Sequence, residues 1–216
     1  MAFGQPEFAR ELKALGINVS RETLQRLETY AALLAKWQAK INLVGPATLP
    51  DLWRRHFLDS AQLIPIISFL PQLGGRNLVD LGSGAGFPGL VLAIMTDWRV
   101  HLIDSDQRKC AFLRQVALDC GVLDRVTIHA KRIEQVTGIP ADVVTARACA
   151  PLGELLDLAE PFIGEKGTGL FLKGAQAEEE LTQAQRHWTM RLDRRGSISD
   201  PAGVILIVSH LKRKSQ

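Results

Sequence analysis

Four glycines fall within eight residues of the run Asp80-Leu-Gly-Ser-Gly-Ala-Gly-Phe-Pro-Gly89. Gly82, Gly84, Gly86 and Gly89 follow a short apolar stretch and lead into another, so the pattern predicts a strand, a loop and a helix. Glycines at that density let the main chain turn sharply and approach a ligand that any Cβ would hold off. Pro88 suits the first turn of the helix, where a missing N–H removes no bond. A further acid, Asp104, closes the next apolar stretch, Leu102-Ile-Asp104. An acid about 20 residues past a glycine loop is placed to accept hydrogen bonds from the ribose hydroxyls of an adenosine cofactor. Its competing role is to cap the helix that begins at Gln107. Two cofactors suit this layout. Gly84-x-Gly86-x-x-Gly89 matches the dinucleotide fingerprint. S-adenosylmethionine carries no pyrophosphate, and Asp80, two residues before Gly82, favours it: a carboxylate repels a pyrophosphate and attracts an ammonium or sulfonium. The competing role of Asp80 is a structural carboxylate that accepts loop N–H groups. Hydride transfer would also need a proton donor, and no downstream His or Tyr-x-x-x-Lys supplies one.

These residues need a scaffold. From Arg76 onward short apolar strands alternate with helical stretches. Strands are predicted over 77–81, 99–103, 126–129, 142–145, 168–172, 190–192 and 204–208, and helices over 88–95, 107–120, 133–136, 152–162 and 177–187. Alternation of this kind implies right-handed βαβ units and a mostly parallel sheet with helices on both faces. No helix separates the last two strands, which predicts an antiparallel edge hairpin. In such sheets ligands bind at the carboxyl ends of the strands, where the glycine loop falls. Residues before 70 read as helices. Leu24, Leu27, Ala31, Leu34 and Trp37 recur at helical spacing, with Ser20 as N-cap and Gly16 as the stop of the helix before. A third helix is predicted over 49–69, broken at Pro65. The reading is therefore an α/β, Rossmann-like fold with a seven-stranded sheet. A helical cap over 1–70 and a cofactor-binding domain over 71–216 pack as one unit.

Composition narrows the class. An apolar fraction of 46% and a charged fraction of 23% are those of an ordinary globular chain. No run of about 20 apolar residues is present to span a bilayer. The opening Met1-Ala-Phe-Gly-Gln-Pro-Glu7 lacks the order of a secretion signal. Three cysteines, none in a CxxC pair, imply reduced thiols in a cytoplasmic protein and no metal site. A net charge of +3 is compatible with a polyanionic partner.

Several segments together resemble the RsmG (GidB) family, bacterial methyltransferases that act on N7 of a guanosine in 16S ribosomal RNA. They are Ile41-Asn-Leu-Val44, Arg54-Arg-His-Phe-Leu-Asp-Ser60, the glycine run Asp80–Gly89, Asp104-Ser-Asp-Gln-Arg-Lys109 with Phe112-Leu-Arg-Gln115, Ala146-Arg-Ala148 and Leu172-Lys-Gly174. The resemblance runs in order from Asn42 to Gly174. It implies a class I methyltransferase fold and S-adenosylmethionine as cofactor. The implied partner is 16S ribosomal RNA or the small ribosomal subunit, met by a monomer. Cofactor contacts implied by it are Gly82 and Phe87 in the loop, Ile133 and Glu134 on the face and edge of the adenine, and Arg147 on the cofactor carboxylate or the RNA. Arg132, Arg147 and Lys173 are the candidates for positioning substrate. A noncatalytic RNA-binding module on the same fold and an NAD-dependent oxidoreductase are the competing readings.

The chemistry of N7 asks little of the protein. Its in-plane lone pair carries no proton, so no general base is required, and alignment of the reactants can supply about 7–11 kcal/mol. Amine methylation commonly uses an Asn/Asp-Pro-Pro-Tyr/Phe loop after the fourth strand, whereas this chain has Thr145-Ala-Arg-Ala-Cys-Ala-Pro151. Pyrimidine C5 methylation needs a cysteine nucleophile. Cys149 lies at the right place, but a small buried residue is the commoner fate of a free cysteine. His56 and Asp59 stand one turn apart, and their expected role is to fix the helical cap. Lys36, Lys40, Arg54, Arg55, Arg108, Lys109 and Arg114 are candidates for a basic rim, with four tryptophans as candidate stacking platforms.

Overall fold

A computed structural model describes residues 3–70 and 75–214; the expected boundary between cap and cofactor domain falls next to residues 71–74, outside that range. The chain opens with α1 (Gln5–Ala14) and α2 (Arg21–Gln38). Ser20 caps α2 by accepting the Thr23 N–H at 3.0 Å. Gly16, with φ of +74°, ends the turn after α1 in the left-handed region that favours glycine. The buried face of α2 is Leu27, Tyr30 and Leu34, with Leu24, Ala31 and Trp37 half-buried beside it.

The single helix predicted over 49–69 is instead a chain of short pieces. A 3-10 turn (Pro46–Asp51) leads into a π-helical turn (Trp53–Leu58), then α3 (Asp59–Ala61) and α4 (Leu63–Phe69). The break comes at Gln62 rather than at Pro65. Pro65 lies in the first turn of α4, where helical N–H groups have no partner to lose.

The sheet has seven strands in the order β3-β2-β1-β4-β5-β7-β6. β1 (Asn77–Leu81), β2 (Arg99–Ile103), β3 (Val126–His129), β4 (Val143–Arg147) and β5 (Thr168–Lys173) are parallel. β7 (Val204–Arg213) runs antiparallel beside β5 and pairs outward with β6 (Trp188–Gly196), the predicted edge hairpin. Both outer strands are longer than their apolar runs. Arg191, Asp193, Arg194 and Arg195 are exposed on β6, and ladder bonds to β7 rather than burial hold them in the sheet. The connecting helices are α5 (Gly89–Met95), α6 (Gln107–Asp119), α7 (Leu152–Ile163) and α8 (Ala177–Ala184). The helix predicted over 133–136 is one 3-10 turn, Ile133–Gln135.

The parallel strands are apolar on both faces because both are covered. Leu78, Val100, Leu102, Val143 and Leu170 join one core cluster with α5, α6 and the N-terminal helices, since Phe8, Leu12, Leu27 and Tyr30 belong to it. Val79, Leu81, Val144, Phe171 and Leu206 face α7 and α8. Among the described residues no helix is long and apolar enough to cross a membrane. β2 and β3 lie on one side of β1 and β4 on the other, so the strand order reverses at the β1–β4 boundary, the place where such sheets open a crevice.

Candidate active site

A cleft of about 730 Å³ opens at that boundary. Its floor is main chain. Gly82, with φ of +63°, packs so closely on the loop after β4 that a Cβ there would stand 2.6 Å from Cys149 Sγ. Gly86 serves the core instead: a Cβ on it would meet Leu90 at 2.6 Å and the Tyr30 hydroxyl at 2.7 Å. Ser83 stitches the loop to β2. Its N–H donates to Ile103 C=O, its Oγ accepts the Ile103 N–H at 3.1 Å, and its hydroxyl donates to Asp80 C=O. Nothing in the sequence pattern marked Ser83.

Asp104 lines the cleft. Its Oδ2 accepts the Gly84 N–H and its Oδ1 the Asp106 N–H, each at 2.8 Å. The helix cap is Asp106, which accepts the Arg108 N–H at 2.8 Å. Asp104 is thus spared the competing role and is tied to the glycine loop. Each carboxylate oxygen keeps acceptor capacity on the cleft side.

Asp80 is fully buried beneath the loop and is not part of the cleft wall. Its Oδ1 accepts the Thr145 hydroxyl at 2.7 Å, and its Oδ2 lies against Gly89, where a Cβ would come within 2.9 Å. Burial raises its pKa to about 6 despite the Thr145 hydrogen bond. Phe87 is an aromatic hub. Its ring stacks on Tyr30 at 5.1 Å, meets Phe57 edge-on at 5.4 Å and carries the Arg147 guanidinium at 5.1 Å. The Tyr30 hydroxyl donates to Ala85 C=O, so α2 braces the loop from below.

The opposite wall is made of charged side chains already engaged with one another. Arg147, at the end of β4, donates to Arg55 C=O at 3.1 Å and approaches Asp59 Oδ2 at 3.5 Å. Asp59 also accepts the Ser199 hydroxyl at 2.5 Å, and Arg55 pairs with Asp200 at 2.7 Å. The π-helical turn is thereby fastened to the loop between β6 and β7. Lys173 Nζ pairs with Glu180 at 2.7 Å and donates to Ala150 C=O.

His56 does not pair with Asp59. Its Nε2 lies 2.7 Å from Thr48 Oγ1, whose single hydroxyl proton goes to Gly45 C=O at 2.7 Å. With that proton directed at Gly45, Nε2 is assigned as the nitrogen that donates to Thr48 Oγ1. Burial, then the charges of Arg147 and Arg55, push its pKa down to about 3. Cys149 lines the cleft, but burial, then the charge of Asp80, raises its pKa, so it stays a thiol rather than a nucleophilic thiolate.

The turn after β3 lies apart from this wall. Arg132 and Glu134 are exposed and Ile133 is half-buried against the α7-side core; none of the three lines the cleft. The basic rim is partly spoken for, since Arg54 lies over the Phe3 ring and Arg108 near Asp106. Lys109 remains on the cleft wall. Trp98 and Trp188 are buried, and Trp37 and Trp53 pack against the core, so none is presented as a stacking platform. Among the described residues no cluster of three or more His, Cys, Asp or Glu is placed to hold a metal ion.

The sheet, with its antiparallel strand inserted before the edge, and the glycine loop at its switch point define a Rossmann-like methyltransferase fold. A SAM-dependent O-methyltransferase from Thermotoga maritima shares that fold, with a TM-score of 0.56 at 14% identity over 84% of this chain and 72% of that one. The family model for rRNA small subunit methyltransferase G matches residues 23–200. Proteins named ribosomal RNA small subunit methyltransferase G are 58% identical over 198 residues in Paramagnetospirillum magneticum, covering 92% of each chain. In Rhodospirillum rubrum the identity is 51% over 203 residues, covering 94% of this chain and 98% of the relative. The chain belongs to the rRNA small subunit methyltransferase G family.

Proposed function

We propose that this chain transfers the methyl group of S-adenosylmethionine to N7 of a guanosine in 16S ribosomal RNA, in the cytoplasm. The observation that carries the reading is the cradle of Gly82, Ser83 and Gly84, side-chain-poor main chain with the Asp104 carboxylate hung on its edge. The residues present fit the cofactor. Asp104 has acceptor capacity for ribose hydroxyls. The main chain at Gly82 and Gly84 leaves room for the amino acid part, and Arg147 stands across the cleft for a carboxylate. Ile133 and Glu134, in the turn after β3, are assigned to the adenine. Asp80 and Gly86 act from beneath, by fixing the loop. Phe87 does so with its ring and offers main chain to the cleft.

Bound there, S-adenosylmethionine would supply an electrophilic methyl carbon to the N7 lone pair, with no proton to remove. The protein's task is then orientation and exclusion of water, which is what a wall of mutually engaged side chains provides. Neutral His56 and thiol Cys149 leave the wall without a strong base or a nucleophile, as this chemistry allows. Arg147 adds a cation that Asp59 balances. Arg132, exposed in the turn after β3, is assigned to RNA phosphate.

The test is methyl transfer from labelled S-adenosylmethionine to small ribosomal subunits or to 16S RNA, with the product digested to nucleosides. Label in 7-methylguanosine is expected. Binding of adenosylhomocysteine with no label transferred would indicate the RNA-binding module instead, and calorimetric preference for NAD would indicate the oxidoreductase.

A further inference from the structure

The loop after β4, residues 148–151, touches both halves of the cleft. It starts at Ala148, whose φ of +48° is a left-handed conformation that non-glycine residues keep only where their surroundings impose it. Next comes Cys149, the neighbour that abuts Gly82. The far end of the loop is held by two side chains. Lys173 Nζ donates to Ala150 C=O at 2.5 Å, and Glu180 Oε2 accepts the Leu152 N–H at 2.8 Å. The two are paired with each other at 2.7 Å, with side-chain exposures of only 7% and 23%. Lys173 is the last residue of β5 and Glu180 lies on α8, so the pair joins a strand, a helix, the loop and the first N–H of α7. Two of the three donors of the ammonium are thereby directed at protein atoms.

Resting on the methyl-transfer reading above, we infer that Lys173 and Glu180 form a positioning pair. Together they set the course of loop 148–151, and with it the place of the acceptor base relative to Gly82. Lys173 acts through the loop and not as a contact to RNA phosphate. Glu180 carries no motif of its own in the sequence; only the fold brings it to the cleft.

A double-mutant cycle decides this. Lys173→Met, Glu180→Leu and the pair together are compared with wild type for kcat, for KM toward RNA and for the salt dependence of RNA binding. A misplaced base should lower kcat by ~10–100-fold in each single variant, because a displacement near 1 Å can cost that much. KM for RNA and the salt slope should stay near wild type. The double variant should be no worse than the poorer single one, since the two side chains act as a unit. The opposite pattern would overturn the inference: a raised KM for RNA, a salt slope reduced by about one in Lys173→Met, and losses that multiply in the double variant. Each single variant strands a buried charge, so the double variant, which carries neither, keeps the experiment readable if a single one fails to fold. Amide exchange at Leu152 reads the clamp without any RNA. Faster exchange in Glu180→Leu is expected, and unchanged protection would overturn the pair's role. If wild type itself transfers no methyl group, the underlying reading fails, and the exchange measurement still judges the clamp.

Discussion

The two walls of the cleft are built on different principles. At the ends of β1 and β2 the wall is main chain: the Gly82–Gly84 turn, tied to Asp104 and to Ile103 by bonds within a stretch of about two dozen residues. At the ends of β4 and β5 the wall is side chains, each held by a partner on another element, two of the three pairs joining residues far apart in sequence. Arg147 meets Asp59, Arg55 meets Asp200, and Lys173 meets Glu180. A cofactor of fixed shape is well served by a rigid, local, glycine-bearing turn. A nucleotide within a large RNA asks for a surface assembled from several elements. The first wall can be read from a short motif; the second exists only once the chain has folded.

Variants can break this contrast. The largest effect is expected at Gly82→Val. The new side chain would strike Cys149 and hold a left-handed φ, a strain of about 1–2 kcal/mol in the backbone alone. Calorimetry should show adenosylhomocysteine binding reduced beyond measurement, while an unchanged affinity would move the cofactor off this turn.

His56 tests the other wall through pH. In the folded protein it stays neutral down to about 3, whereas in the unfolded chain it takes up a proton near its ordinary 6.5. The unfolded state therefore binds more protons between those values, and the His56 contribution is intact above 6.5 and lost as pH falls. Relative to wild type, His56→Gln should gain on the order of 3 kcal/mol between pH 6.5 and 4, measured by urea unfolding. Asp80 has the reverse sign. Its folded pKa of about 6 exceeds the usual 3.8, so the folded state binds more protons and stability falls as pH rises between them. Asp80→Asn should remove that decline.

Asp104→Ala deletes an acceptor that holds the Gly84 N–H. Hydrogen bonds to a charged group contribute about 1.5–3 kcal/mol, so adenosylhomocysteine affinity should fall ~10–100-fold. Affinity for the RNA should be nearly unaffected, which separates the two walls. The smallest effect is expected at Tyr30→Phe. It leaves the Ala85 carbonyl without its buried donor, a loss of about 1–3 kcal/mol in urea stability with a modest weakening of cofactor binding.

What was legible in the sequence follows the same division. The strand positions, the glycine loop and Asp104 were visible because each depends on residues close together in the chain. The cap of α6, which the sequence offered as a competing role for Asp104, falls to Asp106, and Asp104 is left to hold the Gly84 N–H. The fragmentation of residues 46–69 into 3-10, π and α turns was not legible, because apolar spacing does not reveal a one-residue change of pitch. Nor was the bond of Asp59 to Ser199, separated by 140 positions. The outer lengths of β6 and β7 escaped for a related reason: charged residues there are kept in strand form by their neighbour's backbone.

The position of the adenosine is tested most directly by a structure with adenosylhomocysteine bound. The ribose hydroxyls should lie on the Asp104 carboxylate and the homocysteine part along the main chain of Gly82–Gly84, with the sulfur facing loop 148–151. A ligand bound elsewhere, or a ribose that leaves Asp104 bonded only to Gly84 and Asp106, would contradict it.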